Sequence, residues 1–135
     1  NRNMEKILRI EETNFKTKER SWDGYDGYQI ITDRQTIQIG ISDSQSCCEK
    51  FGCIITNDEI KEFIGAELLG ISITDTALNN KKIEEIEYLD CGGAMFVNLE
   101  TSEGLLQFVA YNSHNGYYGH EAVLISKQLN HDERL

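Results

Sequence analysis

Proline is absent from the 135-residue sequence, and so is any pair of cysteines at Cys-x-x-Cys spacing. Without proline, only glycine, asparagine and aspartate remain as turn signals. No apolar run approaches the ~18–20 residues that a membrane-spanning helix requires, and no secretory leader pattern opens the sequence. We therefore expect a soluble, cytoplasmic protein with no membrane partner.

Basic residues are scarce as well, since 13 Lys and Arg face 23 Asp and Glu and give a formal net charge of −10. Such a chain repels polyanions, which excludes long nucleic acids as partners. Residues 1–20 are the exception, because they hold six basic and four acidic side chains. This segment can meet a small anionic ligand. We interpret residues 1–3 as a tag remnant and exclude them from the fold prediction.

The four cysteines are Cys47, Cys48, Cys53 and Cys91. Their spacing favours reduced, structural thiols, with zinc bound through these thiols and a histidine as the alternative. Cys47 or Cys48 with His114 as base is a further alternative, but no third orienting group or oxyanion feature accompanies that pair. We predict no catalytic residue, no metal and no cofactor.

Alternation of β-branched and polar residues predicts most of the chain to be strands. Two hairpins stand out, one turning at Asp33 and one at Gly104. The predicted strands are residues 28–32, 36–41, 68–74, 94–101, 105–111 and 122–126.

One helix is predicted from Asn57, with apolar residues at helical spacing and Gly65 after its end. Residues 82–89 are ambiguous between strand and helix, and we favour strand. Residues 4–10 suit a strand or a short helix, residues 13–27 are interpreted as a loop, and residues 42–52 show no clear period. The prediction is an α+β fold in one domain over residues 1–135, with a mainly antiparallel sheet and one short packed helix.

The first candidate site is an aromatic and basic stretch, in which Phe15, Trp22, Tyr25 and Tyr28 are interleaved with Lys16, Lys18 and Arg20. Aromatic planes beside cations can stack a base and hold a phosphate, although the same aromatic residues can simply cover one end of the sheet. The candidate ligand-binding residues here are Lys18, Arg20, Trp22 and Tyr25.

The second candidate site is residues 111–120, a strand end that runs into a polar turn. The Asn115-Gly116 dipeptide is a strong hairpin signal, so a purely structural role is the alternative. The density of amides, imidazoles and phenols favours a pocket for a polar ligand. The candidate residues are Asn112, His114, Asn115, Tyr117 and Tyr118.

Three short boxes resemble a small family of phage and bacterial domains. They are Gln45-x-Cys47-Cys48-Glu49, the Ile64-Gly65 pair, and Asn115-Gly116-Tyr117-Tyr118. The resemblance covers roughly residues 28–126.

The length and this arrangement are also similar to the phage Thoeris anti-defence proteins of the first type. That resemblance implies a viral homo-oligomer in the host cytoplasm that sequesters cyclic ADP-ribose isomers, an immune signal, without turnover. In this interpretation Trp22 stacks on the ligand, Arg20 or Lys18 meets phosphate, and the residues of the second site donate and accept hydrogen bonds.

Two other functions remain open. The acidic surface suits an anti-CRISPR-like protein that mimics nucleic acid against a basic groove. A small hydrolase acting through Cys48 or His114 is the enzymatic alternative.

Overall fold

The computed structural model describes residues 4–17, 24–43, 50–86, 93–113 and 119–135. Within these ranges the chain forms β1 (Ile7–Phe15), β2 (Tyr25–Thr32), β3 (Thr36–Ser42), β4 (Lys50–Ile55), a 3-10 helix (Lys61–Phe63), β5 (Leu68–Thr74), α1 (Asn80–Glu84), β6 (Gly93–Thr101), β7 (Gly104–Ser113), β8 (Glu121–Ile125) and β9 (His131–Arg134).

The strands form two antiparallel sheets. One contains five strands in the order β1-β2-β3-β8-β9 and the other contains four in the order β4-β7-β6-β5. Both predicted hairpins are confirmed, as β2–β3 and β6–β7. Gly104 turns the second hairpin with a φ of 109°, a conformation that suits glycine. The predicted α+β class is wrong, because strands dominate and the described helices are one 3-10 turn and a five-residue helix.

One hydrophobic core lies between the sheets. Alternate residues of β2 and β3, including Ile30, Ile37 and Ile39, point toward the four-stranded sheet and are fully buried. Val97 of β6 and Phe108 of β7 meet them from the other side. This burial requires the period-two pattern that the sequence shows in both hairpins.

The helix predicted from Asn57 is wrong in extent, since only Lys61–Phe63 form a single 3-10 turn. The side chain of Asn57 accepts a hydrogen bond from the Gln107 N–H at 3.0 Å and donates one to the Leu105 carbonyl at 2.8 Å. Because Asn57 is bound to β7 in this way, its side chain does not cap a helix. The prediction that Gly65 follows the end of the helix is correct for the 3-10 turn, and its φ of 89° is a conformation that suits glycine.

The strand favoured for residues 82–89 is also wrong where the structure describes them. Asn80–Glu84 form α1, and the side chain of Asn79 caps it by accepting a hydrogen bond from the Lys81 N–H at 3.1 Å. None of the helical residues is buried, so no apolar face marks this helix in the sequence.

Much of the loop predicted for residues 13–27 is strand. β1 runs to Phe15 and β2 begins at Tyr25, and the two pair in register from Phe15 opposite Tyr25. Residues 18–23 lie outside the described part of the chain. β9 was not predicted, since His131–Arg134 carry no apolar alternation. No helix among the described residues is long and apolar enough to cross a membrane.

Gln107 anchors the connections above the four-stranded sheet. Its buried side-chain amide donates to the Thr76 carbonyl at 3.0 Å and to Asn98 Oδ1 at 2.9 Å. Its oxygen accepts from the Leu78 N–H at 2.8 Å and from the Thr56 hydroxyl at 3.1 Å. All four hydrogen-bonding positions of the amide are thus occupied.

Candidate functional site

Two of the nine predicted ligand-binding residues, Tyr25 and Asn112, lie in the described part of the chain. The others lie outside it, each within six residues of a described strand end. They are Lys18, Arg20, Trp22, His114, Asn115, Tyr117 and Tyr118.

His120 shows how those strand ends are held together. Its Nδ1–H donates to the Ser42 carbonyl at 2.7 Å, which fixes the tautomer because a carbonyl oxygen only accepts. The ring stacks on Phe51 of β4 at 4.3 Å between centroids, and the backbone exchanges two hydrogen bonds with Leu135. The end of β3, the start of β4 and the end of the chain therefore meet at one end of the two sheets.

Register places the other strand ends there as well. Tyr25 at the start of β2 pairs with Ser42, and Lys50 at the start of β4 pairs with Ser113 at the end of β7. Residues 18–23, 44–49 and 114–118 connect these ends in the sequence. Both predicted sites are therefore covalently attached to the same end of the molecule.

A small apolar cluster covers the outer face of the five-stranded sheet at this end. Phe15, Tyr25 and Val123 are buried there, apart from the main core. Phe15 and Tyr25 stack with 5.6 Å between centroids and 13° between planes. This arrangement puts a stacked and almost fully buried aromatic pair into the surface layer of the outer face.

Two glycines facing each other across β2 and β3 make room for that surface. Gly27 pairs with Gly40, and a Cβ on Gly40 would lie 2.9 Å from Cε2 of Phe15 and 2.8 Å from the Asp26 carbonyl oxygen. A Cβ on Gly27 would overlap the carbonyl oxygen of Ile39. Only glycine lets the Phe15 ring lie against the sheet at this position.

Beside the cluster lies a depression of about 750 Å³, here called the outer pocket. Its floor combines Tyr25 with the apolar side chains of β8, and its rim carries amide, hydroxyl and charged groups. The lining residues are Lys16, Thr17, Tyr25, Gln38, Glu121, Val123, Leu124, Ile125, Asn130, His131 and Asp132.

Charges of both signs surround the outer pocket. Lys16 contributes an ammonium group, whereas Glu121 and Asp132 contribute carboxylates. Glu121 accepts a hydrogen bond from the Tyr25 hydroxyl at 2.8 Å, which fixes the orientation of the phenol. The lining therefore offers a cation for an anionic group and acceptors for hydroxyl or amino groups.

Asn112 has a different environment from Tyr25. It is fully buried on β7, and its Nδ2 donates to the Leu135 carbonyl at 3.2 Å. Asn112 is not among the residues that line the outer pocket. Its observed contact ties the chain end to the four-stranded sheet, so the structure does not bring the two described candidates together.

Several pocket residues were missed from the sequence. Gln38 points outward from a strand whose other face is core, and the alternation of β3 carries that signal. Asn130 directly precedes the unpredicted strand β9 and Asp132 lies within it, and neither gives such a signal. Lys16 lies in the aromatic and basic stretch but is not among the predicted ligand-binding residues.

A second concave region lies between β1, β2 and the edge strand β4. Burial raises the pKa of Tyr28 to about 12, and the nearby Glu12 carboxylate adds to the shift. Burial also raises the pKa of the Cys53 thiol and that of Tyr111. Cys53 is a buried free thiol, as predicted for a structural cysteine, while Cys47, Cys48 and Cys91 lie outside the described residues.

Tyr28 provides a pH-dependent test of this environment. A phenol whose pKa rises on folding contributes stability that is complete below pH 10 and is lost as pH rises toward 12. We expect the free energy of unfolding of Tyr28→Phe to fall less steeply than that of the native protein over this window. Denaturant unfolding at pH 9 to 12 measures the difference, and identical pH slopes for the two proteins would contradict the raised pKa.

No group of three or more His, Cys, Asp and Glu side chains suited to a metal occurs among the residues that the structure describes.

Comparison with known families gives one match. The family described as a domain of unknown function, DUF7448, matches residues 4–124, and the chain belongs to this family. No curated protein and no solved structure shows significant similarity to the chain.

Proposed function

We propose that this protein is a phage anti-defence protein that binds and sequesters a cyclic nucleotide immune signal, a cyclic ADP-ribose isomer, without turnover. It acts in the host cytoplasm as a homo-oligomer. The outer pocket is the observation that carries the proposal, because it places a concave site that Tyr25 helps to line beside the strand ends to which both sequence-predicted sites attach.

Size supports this assignment. Pockets for small ligands occupy about 300–1,000 Å³, and the outer pocket measures about 750 Å³. A cyclic dinucleotide-sized ligand fits that range, whereas a long nucleic acid is disfavoured by the net charge of −10.

The chemistry of the lining supports it as well. Lys16 supplies a cation for a phosphate, and Lys18 and Arg20 follow it two and four residues later in the sequence. The carboxylates of Glu121 and Asp132 suit the ribose hydroxyls and the adenine amino group, which donate hydrogen bonds. Trp22 is the residue proposed to stack on the ligand. His114, Asn115, Tyr117 and Tyr118 are proposed to form hydrogen bonds with it.

The side chains that line the described part of the outer pocket favour binding without turnover. The Tyr25 hydroxyl donates to Glu121. Both groups line the outer pocket, and a lining of hydrogen-bonding, charged and apolar groups suits the binding of a polar ligand. We therefore assign retention of the ligand, and not its conversion, to this pocket.

Calorimetric titration of a panel of cyclic ADP-ribose isomers and cyclic di- and trinucleotides tests the site. Lys16→Ala is expected to weaken binding about tenfold, the loss of roughly one charge-assisted hydrogen bond. Lys127→Ala is the matched control, because Lys127 is exposed and does not line the outer pocket. Equal affinities of the two variants would contradict placement of the ligand here.

A further inference from the structure

A groove runs along the edge strand β4, and Tyr111 of β7 also lines one end of it. It consists of two adjoining depressions of about 360 and 450 Å³ that meet at Ile54. β1 and β2 form one wall and β4 the other. Residues that define this β4 groove are Glu12, Asp26, Tyr28, Ile54, Asp58 and Glu85.

One backbone edge of β4 faces the groove, where Phe51 is half-buried and Cys53 and Ile55 are 8% and 9% exposed. β4 is the outermost strand of its sheet. Directly after β4, the Thr56 N–H donates a hydrogen bond to the carbonyl of its cross-strand partner Gln107. Antiparallel hydrogen-bonded pairs alternate along a strand, so the N–H and C=O groups of Phe51, Cys53 and Ile55 point away from β7. Within the described part of the chain these groups have no hydrogen-bond partner.

The groove combines an apolar floor with an acidic rim. Ile54 and the half-buried ring of Tyr28 form the floor. Glu12, Asp26, Asp58 and Glu85 are exposed around it, and the lysine of the lining, Lys82, donates to the Asn57 carbonyl at 3.2 Å. The rim therefore carries a net negative charge.

An unpaired strand edge beside a groove is the geometry that accepts an extended peptide by strand addition. The backbone groups give affinity, and the side chains of alternate peptide residues enter the groove or face the rim. We propose that the β4 groove binds an extended, basic segment of a partner protein as an added strand. Lysines or arginines of that segment pair with the rim, and its apolar residues pack on Ile54 and Tyr28.

This site is separate from the outer pocket. The outer pocket lies on the outer face of the five-stranded sheet. The β4 groove instead lies between the two sheets, where β1 and β2 face β4. The inference therefore stands or falls independently of the proposed nucleotide ligand.

Fluorescence anisotropy with a labelled, capped peptide of alternating lysine and valine tests the inference. We expect saturable binding by the native protein and weakening of at least tenfold in the double variant Glu12→Lys/Asp58→Lys. Glu100→Lys/Glu103→Lys is the matched control, because both residues are exposed, Glu100 on β6 and Glu103 in the β6–β7 turn, and the two substitutions alter the net charge equally. That control is expected to bind within about twofold of the native protein.

Amide hydrogen exchange distinguishes strand addition from simple charge attraction. The amides of Phe51, Cys53 and Ile55 are expected to gain protection when the peptide binds, and a peptide N-methylated at alternate residues is expected to lose binding. Absence of binding, equal binding by the two double variants, or binding without protection would each overturn the proposal. Protection of the same amides in the free protein that rises with its concentration would instead assign the edge to a second copy.

Discussion

Replacing Gln107 with leucine is expected to lower the free energy of unfolding by about 2–4 kcal/mol, because each lost hydrogen bond costs about 0.5–1.5 kcal/mol net and buried partners are left unsatisfied. The Gln107 amide bonds at once to Thr56, Leu78, Thr76 and Asn98. Leucine has a similar volume but bonds to none of them. Urea unfolding monitored by circular dichroism measures the change.

Gln29→Leu is the matched control for that experiment. Gln29 is half-buried on the outer face of β2, and its one described side-chain bond, from Gln38, is 3.5 Å long. Its replacement is expected to change stability by less than about 0.5 kcal/mol. An equal decrease in the free energy of unfolding of the two variants would show that the four side-chain hydrogen bonds of Gln107 do not stabilise the fold.

Adding a single methyl group at Gly40 is expected to destabilise the protein by about 1–3 kcal/mol, the usual cost of overpacking. The new Cβ would meet Cε2 of Phe15 at 2.9 Å and the Asp26 carbonyl oxygen at 2.8 Å. Phe15 must then move off the sheet, which breaks its stacking with Tyr25. Gly40→Ala should therefore also weaken ligand binding at the outer pocket.

Gly70→Ala provides the comparison on another strand. A Cβ at Gly70 meets the side chain of Glu100 at 3.4 Å, an ordinary contact with a flexible group. Because alanine restricts the unfolded chain more than glycine does, this variant is expected to be neutral or slightly stabilising. A stable Gly40→Ala protein with unchanged ligand binding would refute the role assigned to the Phe15 surface.

The strands were predictable because their packing leaves a period of two in the sequence. Ile37 and Ile39 alternate with outward residues, and the β2–β3 and β6–β7 hairpins follow directly. The α+β prediction relied on a helix capped by Asn57. The side chain of Asn57 instead forms hydrogen bonds with Gln107 and Leu105 of β7. Tertiary hydrogen bonds there outweigh local helix propensity.

The candidate site was predictable only in part. An aromatic and basic stretch indicates Tyr25, but Glu121 and Asp132 reach the outer pocket through strand pairing that no local pattern encodes. Asn112 looked polar and available, yet the sheets bury it against Leu135. Which polar residues share a surface depends on long-range register, and this is the information a single sequence lacks.

Calorimetry of the native protein with cyclic ADP-ribose isomers, followed by heat release and chromatography of the ligand, tests the central claim most directly. Sub-micromolar binding with the ligand recovered chemically unchanged is the result that the proposed function predicts. Recovery of a converted product would contradict retention without turnover, and no heat with any member of the panel would contradict a cyclic nucleotide as the ligand.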